Sequence, residues 1–170
     1  MKKSILFLAI ILMAFSCKVS YQFNNASIDY NVIKTMEIRD FQNHALTVYP
    51  SLTLVFNETL KDHYTKNTKL SFTNINPDLE LEGEIVRYDF TPQAIKDDGK
   101  NAYGSETRLT MDVRIRYINN KNPLENKEET ITAYRDFDSN KLITEVQDQL
   151  IEELSKDIVD QIFNTTLSNW

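Results

Sequence analysis

Cysteine is nearly missing from this chain, with one in 170 residues, at Cys17. A single thiol forms no disulfide within the chain, so a cross-linked scaffold is excluded. Glycine is almost as scarce. Three glycines argue against a loop that cradles phosphate, and with four prolines the chain is neither collagen-like nor low-complexity. Only two histidines occur, His44 and His63, and neither has a ligand partner at metal-binding spacing. Beyond the N-terminus no apolar run is long enough to cross a membrane. What is present in quantity is ordinary: 41% apolar residues, 11% aromatics and 26% charged residues, the composition of a folded domain.

The N-terminus is the exception. Lys2-Lys3 precede an apolar run from Ile5 to Phe15, which closes on Ala14-Phe15-Ser16-Cys17. About 11 residues at roughly 1.5 Å each cover only half of a bilayer core, so residues 1–16 are predicted to be an exported leader. Ala14 and Ser16 put small side chains at the positions a signal peptidase needs, and the pattern resembles a bacterial lipobox. Cys17 is then predicted to carry the lipid, the alternative being an ordinary leader with an accidental cysteine. Acyl chains contribute roughly 0.8 kcal/mol per buried methylene, enough to anchor the mature N-terminus in one leaflet. Loss of Lys2 and Lys3 leaves 17 basic against 25 acidic residues, a net charge of -8 that disfavours nucleic acid and anionic surfaces in general. The mature 154 residues suit one domain. Residues 17–27 read as a polar tether and 28–170 as that domain.

Within the domain, alternation predicts a first strand from Val32 to Phe41. Leu52, Val55, Phe56, Leu60 and Tyr64 then recur at helical spacing over Pro50 to Lys66. A short strand at Lys69 to Asn74 leads to a longer one, with Leu79, Leu81, Gly83 and Ile85 on one face and Glu80, Glu82 and Glu84 on the other. The apolar set then shifts from odd to even positions, at Val86, Tyr88 and Phe90, which predicts a β-bulge. Lys96 to Asn101 reads as a turn. Thr107 to Tyr117 alternates most strictly, Asn119 to Asn126 reads as a hairpin loop, and Glu129 to Phe137 as the returning strand. From Ile143 the apolar stripe Val146, Leu150, Leu154, Ile158, Ile162 and Phe163 predicts a closing helix, with Asp138 or Ser139 as its cap. This order points to an α+β, two-layer sandwich: a four- to five-stranded, mainly antiparallel or mixed sheet with two helices on one face. The other face is solvated or occupied, and Arg108, Arg114 and Arg116 are expected to line it.

In their order these segments resemble the LptE family. The resemblance rests on the lipobox at Cys17, Tyr21-Gln22-Phe23, Leu52 to Asp62, Asp78 to Tyr88, Arg108 to Tyr117, and the ending Ile162-Phe-Asn164 with Asn169-Trp170. It implies a small sheet with two helices. It also implies an outer-membrane lipoprotein on the periplasmic side, lodged in a large LptD-like β-barrel as plug and assembly chaperone, and touching lipopolysaccharide in transit. No motif carries the family's lipid-contacting residues over by position.

Lipid A carries phosphates, and guanidinium groups bind phosphate bidentately. Arg114 and Arg116, two apart on a strand and roughly 7 Å from each other, are the candidate contact, with Arg108 and Arg87 as extensions. The same arginines could instead pair across strands with Glu80, Glu82 and Glu84. Those three carboxylates point one way and do not encircle calcium, so they read as a solvated strand face. No catalytic set is apparent: Cys17 is consumed by lipid, and both histidines read as surface residues, His63 on the polar side of its helix. The chain is expected to be neither enzyme nor cofactor carrier. The translocon subunit stands against two alternatives: a free-standing periplasmic lipoprotein that binds lipid or protein, and a hydrolase.

Overall fold

The computed structural model describes residues 28–93 and 106–167. The leader, Cys17, the tether, the turn at Lys96 to Asn101 and Asn169-Trp170 lie outside the described residues. The chain enters on a turn. The Asp29 carbonyl accepts the Val32 and Ile33 amides at 3.0 and 2.9 Å, and the Asp29 carboxylate accepts that of Asn31 at 2.9 Å. The first strand therefore starts later than the alternation from Val32 predicts, and it is broken in two: β1 at Thr35–Ile38 and β2 at Gln42–Asn43. Helix α1 follows at Pro50–Asn67, with Leu52, Phe56, Leu60 and Tyr64 buried one turn apart. Pro50 fits the first turn, where an amide would have no helical partner. Strand β3 is only Ser71–Phe72, and in the turn beyond it Asn76 holds a positive φ of 47°. Then come β4 at Leu79–Pro92, β5 at Glu106–Asn119, a 3-10 turn at Pro123–Glu125, β6 at Lys127–Asp138 and α2 at Ile143–Leu167.

The sheet order is β3-β1-β4-β5-β6, with β2 also on β4. The first three strands pair in parallel, while β4, β5 and β6 form an antiparallel meander. The α+β sandwich is as expected; the sixth strand arises from the break between β1 and β2. Both helices run the same way, since Tyr49 ahead of α1 donates to Asp148 near the start of α2, and Tyr64 meets Thr166 near their ends, both at 2.7 Å. Leu79, Leu81 and Ile85 of β4, Leu109, Met111, Val113, Ile115 and Tyr117 of β5, and Ile131 and Ala133 of β6 form the core with the two helices. At Tyr88, burial pushes the hydroxyl pKa up to about 12, opposed by a 2.9 Å hydrogen bond from Gln147. Asp138 does not cap α2. It accepts the Asn140 amide at 2.9 Å and shapes the turn before it.

Two bulges set which side chains face out. In β4 the register against β5 passes from Ile85↔Val113 to Arg87↔Asp112, so Val86 is the extra residue the odd-to-even shift predicts. Tyr88 thereby turns inward and Arg87 outward. The second bulge is not apparent from pattern. Ile38 faces Leu81 and Gln42 faces Glu84, so Arg39, Asp40 and Phe41 lie opposite only Glu82 and Gly83. The extra residue swings Phe41 into the core over Gly83. A Cβ at Gly83 would stand 2.3 Å from the Phe41 ring and 2.4 Å from the Arg114 carbonyl. Asn57 of α1 replaces the lost strand partner, accepting the Phe41 amide at 2.8 Å and donating to the Phe41 carbonyl at 3.0 Å. Gly83→Ala should therefore cost about 1–3 kcal/mol, read as a lower denaturant midpoint at unchanged slope.

Asp78 ties the start of β4 to β1. Its carboxylate accepts the amides of Lys34 at 2.8 Å and Thr35 at 3.1 Å, and lies 2.9 Å from Lys121 Nζ. The Lys34 amide, then Lys121 and Thr35, hold its pKa far below the usual carboxylate range. A depressed carboxyl pKa stabilises the fold above the unfolded-state value, about 4, and that contribution is lost as pH falls toward the folded value. Asp78→Asn is thus expected to destabilise at pH 7 and to flatten stability against pH below about 4, measured by urea unfolding across that range.

Candidate functional site

The helices cover one sheet face, and the other carries an ordered array of charge. On β5 the odd residues from Leu109 to Tyr117 are buried, so Arg108, Asp112, Arg114 and Arg116 point outward. The antiparallel register sets Arg114 opposite Glu84 and Arg116 opposite Glu82. Residues opposed in this way share a face, and opposite charges there attract. Arg114 donates through Nε (2.9 Å) and Nη2 to Glu84, and Arg116 Nη1 lies 3.1 Å from Glu82. Hydrogen bonding from Arg114 holds the Glu84 carboxyl below the usual range. Of the two roles the sequence leaves open for these arginines, cross-strand pairing is present, and it leaves the side chains of Arg114 and Arg116 52% and 59% exposed.

The other two arginines are held more firmly. Arg87, turned outward by the bulge, grips Asp112 through Nε at 2.8 Å and Nη2 at 3.1 Å. Arg108 binds both oxygens of Asp136, at 2.7 and 2.8 Å, and stacks 3.8 Å above the Tyr134 ring. That bidentate contact holds the Asp136 carboxyl below its usual range. Arg87 is one step along the face from Arg114, whereas Arg108, six residues away on the strand, is roughly 20 Å from it. The four candidates thus share a face, but only Arg114 and Arg116 share a recess. Cys17 lies outside the described residues.

The recess, about 370 Å³, is lined by Arg39, Asp40, Glu82, Gly83, Glu84, Arg114, Ile115, Arg116 and Glu128. Arg39 is the residue that sequence reasoning missed. The parallel register places Glu37 directly opposite Glu80, a like-charge pair that disfavours the pairing, and Arg39 bridges it. Its Nη2 lies 3.3 Å from Glu37 and 3.1 Å from Glu80, while Nη1 lies 2.5 Å from Glu82. The signal was the alternation of Arg39 and Glu37 with inward Met36 and Ile38, but only a parallel neighbour gives it meaning. Glu80, Glu82 and Glu84 are accordingly the partners of cations rather than a solvated row. His44, exposed as expected and outside the recess lining, has Nδ1 2.5 Å from Glu84. His63 is not on a polar surface: it sits at the seam of the helices, 3.2 Å from Asp160 and edge-on to Phe163 at 4.8 Å.

Among the described residues, a six-stranded mixed sheet with two helices on one face and a charged second face that no other element covers defines the structural class. The chain belongs to the LptE family, described as lipopolysaccharide-assembly, whose model matches residues 33–166. No curated protein matches the chain. Among solved structures, a hypothetical protein of Chlamydia trachomatis is similar at 10% identity, covering 81% of this chain and 99% of that one, with a TM-score of 0.53. A protein of Xanthomonas campestris is similar at 11% identity over 79% and 83% of the two chains, with a TM-score of 0.51. At such identities the likeness shows the fold alone.

The contacts rank the arginines for mutation. Arg108→Lys removes a bidentate pair and a stacked plane, and should lower the thermal unfolding midpoint. Arg116→Lys, with one contact to lose, should leave that midpoint within error in the same melting experiment.

Proposed function

We propose that this chain is an outer-membrane lipoprotein, anchored through Cys17 on the periplasmic side, that serves as plug and assembly subunit of a lipopolysaccharide-transport β-barrel. Residues 1–16 are the leader, 17–27 the tether and 28–170 the working domain. The observation that carries the reading is the sheet face, polar and charge-patterned along β4 and β5, that none of the described elements covers, on a member of a lipopolysaccharide-assembly family. Helices bury the other face, so this is the sheet surface left to meet a polar barrel lumen or a phosphorylated headgroup. Arg114 and Arg116 are the proposed phosphate contacts, with Arg87 and then Arg108 as extensions along the same face.

Detergent extraction of the tagged, lipidated protein from its own envelope tests this. A large β-barrel is expected to co-purify in stoichiometric amount, identified by mass spectrometry; recovery of the protein alone would favour a free-standing lipoprotein. Lipopolysaccharide binding by the Arg114→Ala/Arg116→Ala double variant is expected to fall severalfold. Unchanged binding by the folded variant would remove the phosphate site.

A further inference from the structure

Arg39, at the end of β1, and Arg116, on β5, reach the recess from the two sides of β4 and close on one carboxylate. Glu82 Oε2 lies 2.5 Å from Arg39 Nη1, and Glu82 Oε1 lies 3.1 Å from Arg116 Nη1. Both oxygens are engaged, and the Glu82 side chain is only 27% exposed. The guanidinium groups are not saturated in return. Each carries five N–H donors, and Arg116 meets Glu82 through Nη1 alone. Arg39 keeps Glu37 and Glu80 within 3.3 Å, so releasing Glu82 does not leave it unpaired. An anion entering the recess therefore finds donors already gathered, and competes with Glu82 for Arg39 and Arg116 and with Glu84 for Arg114.

We infer that Glu82 is a built-in competitor that masks Arg39 and Arg116 in a phosphate site whose third arginine, Arg114, is held separately by Glu84. This rests on the proposed reading that the recess meets lipopolysaccharide, and it adds both a third cation and a selection rule. A tethered carboxylate acts at high effective concentration, so a free monovalent anion gains nothing by replacing it. A phosphate monoester offers more oxygens and up to two charges to the same donors, and an amphiphile held by its acyl chains is itself concentrated at the site. Glu82 thus favours phosphorylated amphiphiles over carboxylate or neutral headgroups and over free phosphate.

Full-length lipidated protein in detergent is titrated with lipopolysaccharide, with its dephosphorylated form, and with inorganic phosphate as competitor. Glu82→Gln keeps the shape and removes the charge. It is expected to bind lipopolysaccharide about two- to five-fold tighter at low salt, the gain fading as salt rises and vanishing on the dephosphorylated form. Arg39→Gln is expected to bind more weakly than wild type. If Glu82→Gln does not fold, Glu82→Asp, too short to span both arginines, should show part of the gain. Affinity at or below wild type in the folded Glu82 variant, with the Arg114/Arg116 double variant weakened, overturns the masking role and leaves the proposed function standing. Wild-type binding by the double variant fails that underlying reading instead. Competition by inorganic phosphate at the concentration of the lipopolysaccharide overturns the amphiphile assignment.

Discussion

The register of β4 against β5 is the constraint on which the rest of the structure depends. A strand exposes alternate residues on alternate faces, so a slip by one position would put Glu80, Glu82 and Glu84 beneath the helices and Leu79, Leu81 and Ile85 in water. Cross-strand pairs of Arg114 with Glu84 and Arg116 with Glu82 satisfy the correct register on one face, and close packing satisfies it on the other. Each exposed ion pair adds little to stability. Their arrangement matters more for specifying the pairing than for strengthening it. The bulge at Val86 belongs to the same scheme, because it lets one strand keep an apolar face inward although its sequence changes phase midway.

Much of this was legible in the sequence, and the legible parts are those where a residue's neighbours along the chain decide its place. The four-residue spacing from Leu52 to Tyr64 and the stripe from Leu150 to Phe163 announce helices because burial demands one face per turn. The phase change after Ile85 announces a bulge for the same kind of reason. What could not be read was non-local. The break between β1 and β2 depends on Gly83, forty residues on, leaving room for Phe41, and on Asn57 standing in as a backbone partner. Arg39 gains its role only from a parallel neighbour whose identity no periodicity reveals. His63, beside Asp62 on what looked like an outer helix surface, is covered because α2 lies alongside.

Membership of a lipopolysaccharide-assembly family and a fold whose second sheet face is left open by the described residues bear on each other. A sheet covered on both sides would have only loops and helix surfaces to offer a partner. Here the regular spacing of strands makes the exposed face a grid, with positions fixed about 4.8 Å apart across strands and about 7 Å apart along them. Charged groups held on such a grid are pre-positioned, so binding need not order them again. That suits a surface meant to fit a preformed partner more than one that moulds itself around flexible peptides.

The charge pairing on this face has a kinetic side. Arg39, Arg87, Arg108, Arg114 and Arg116 each stand within hydrogen-bonding range of a carboxylate, so their fields largely cancel a few ångströms above the sheet. A patch of one sign would draw its partner in from a distance and lose that advantage in salt. A self-neutralised grid does not attract from afar and responds only at contact, where the order of signs can be distinguished. It discriminates during docking rather than during approach, so salt in the surroundings changes little of what it can distinguish.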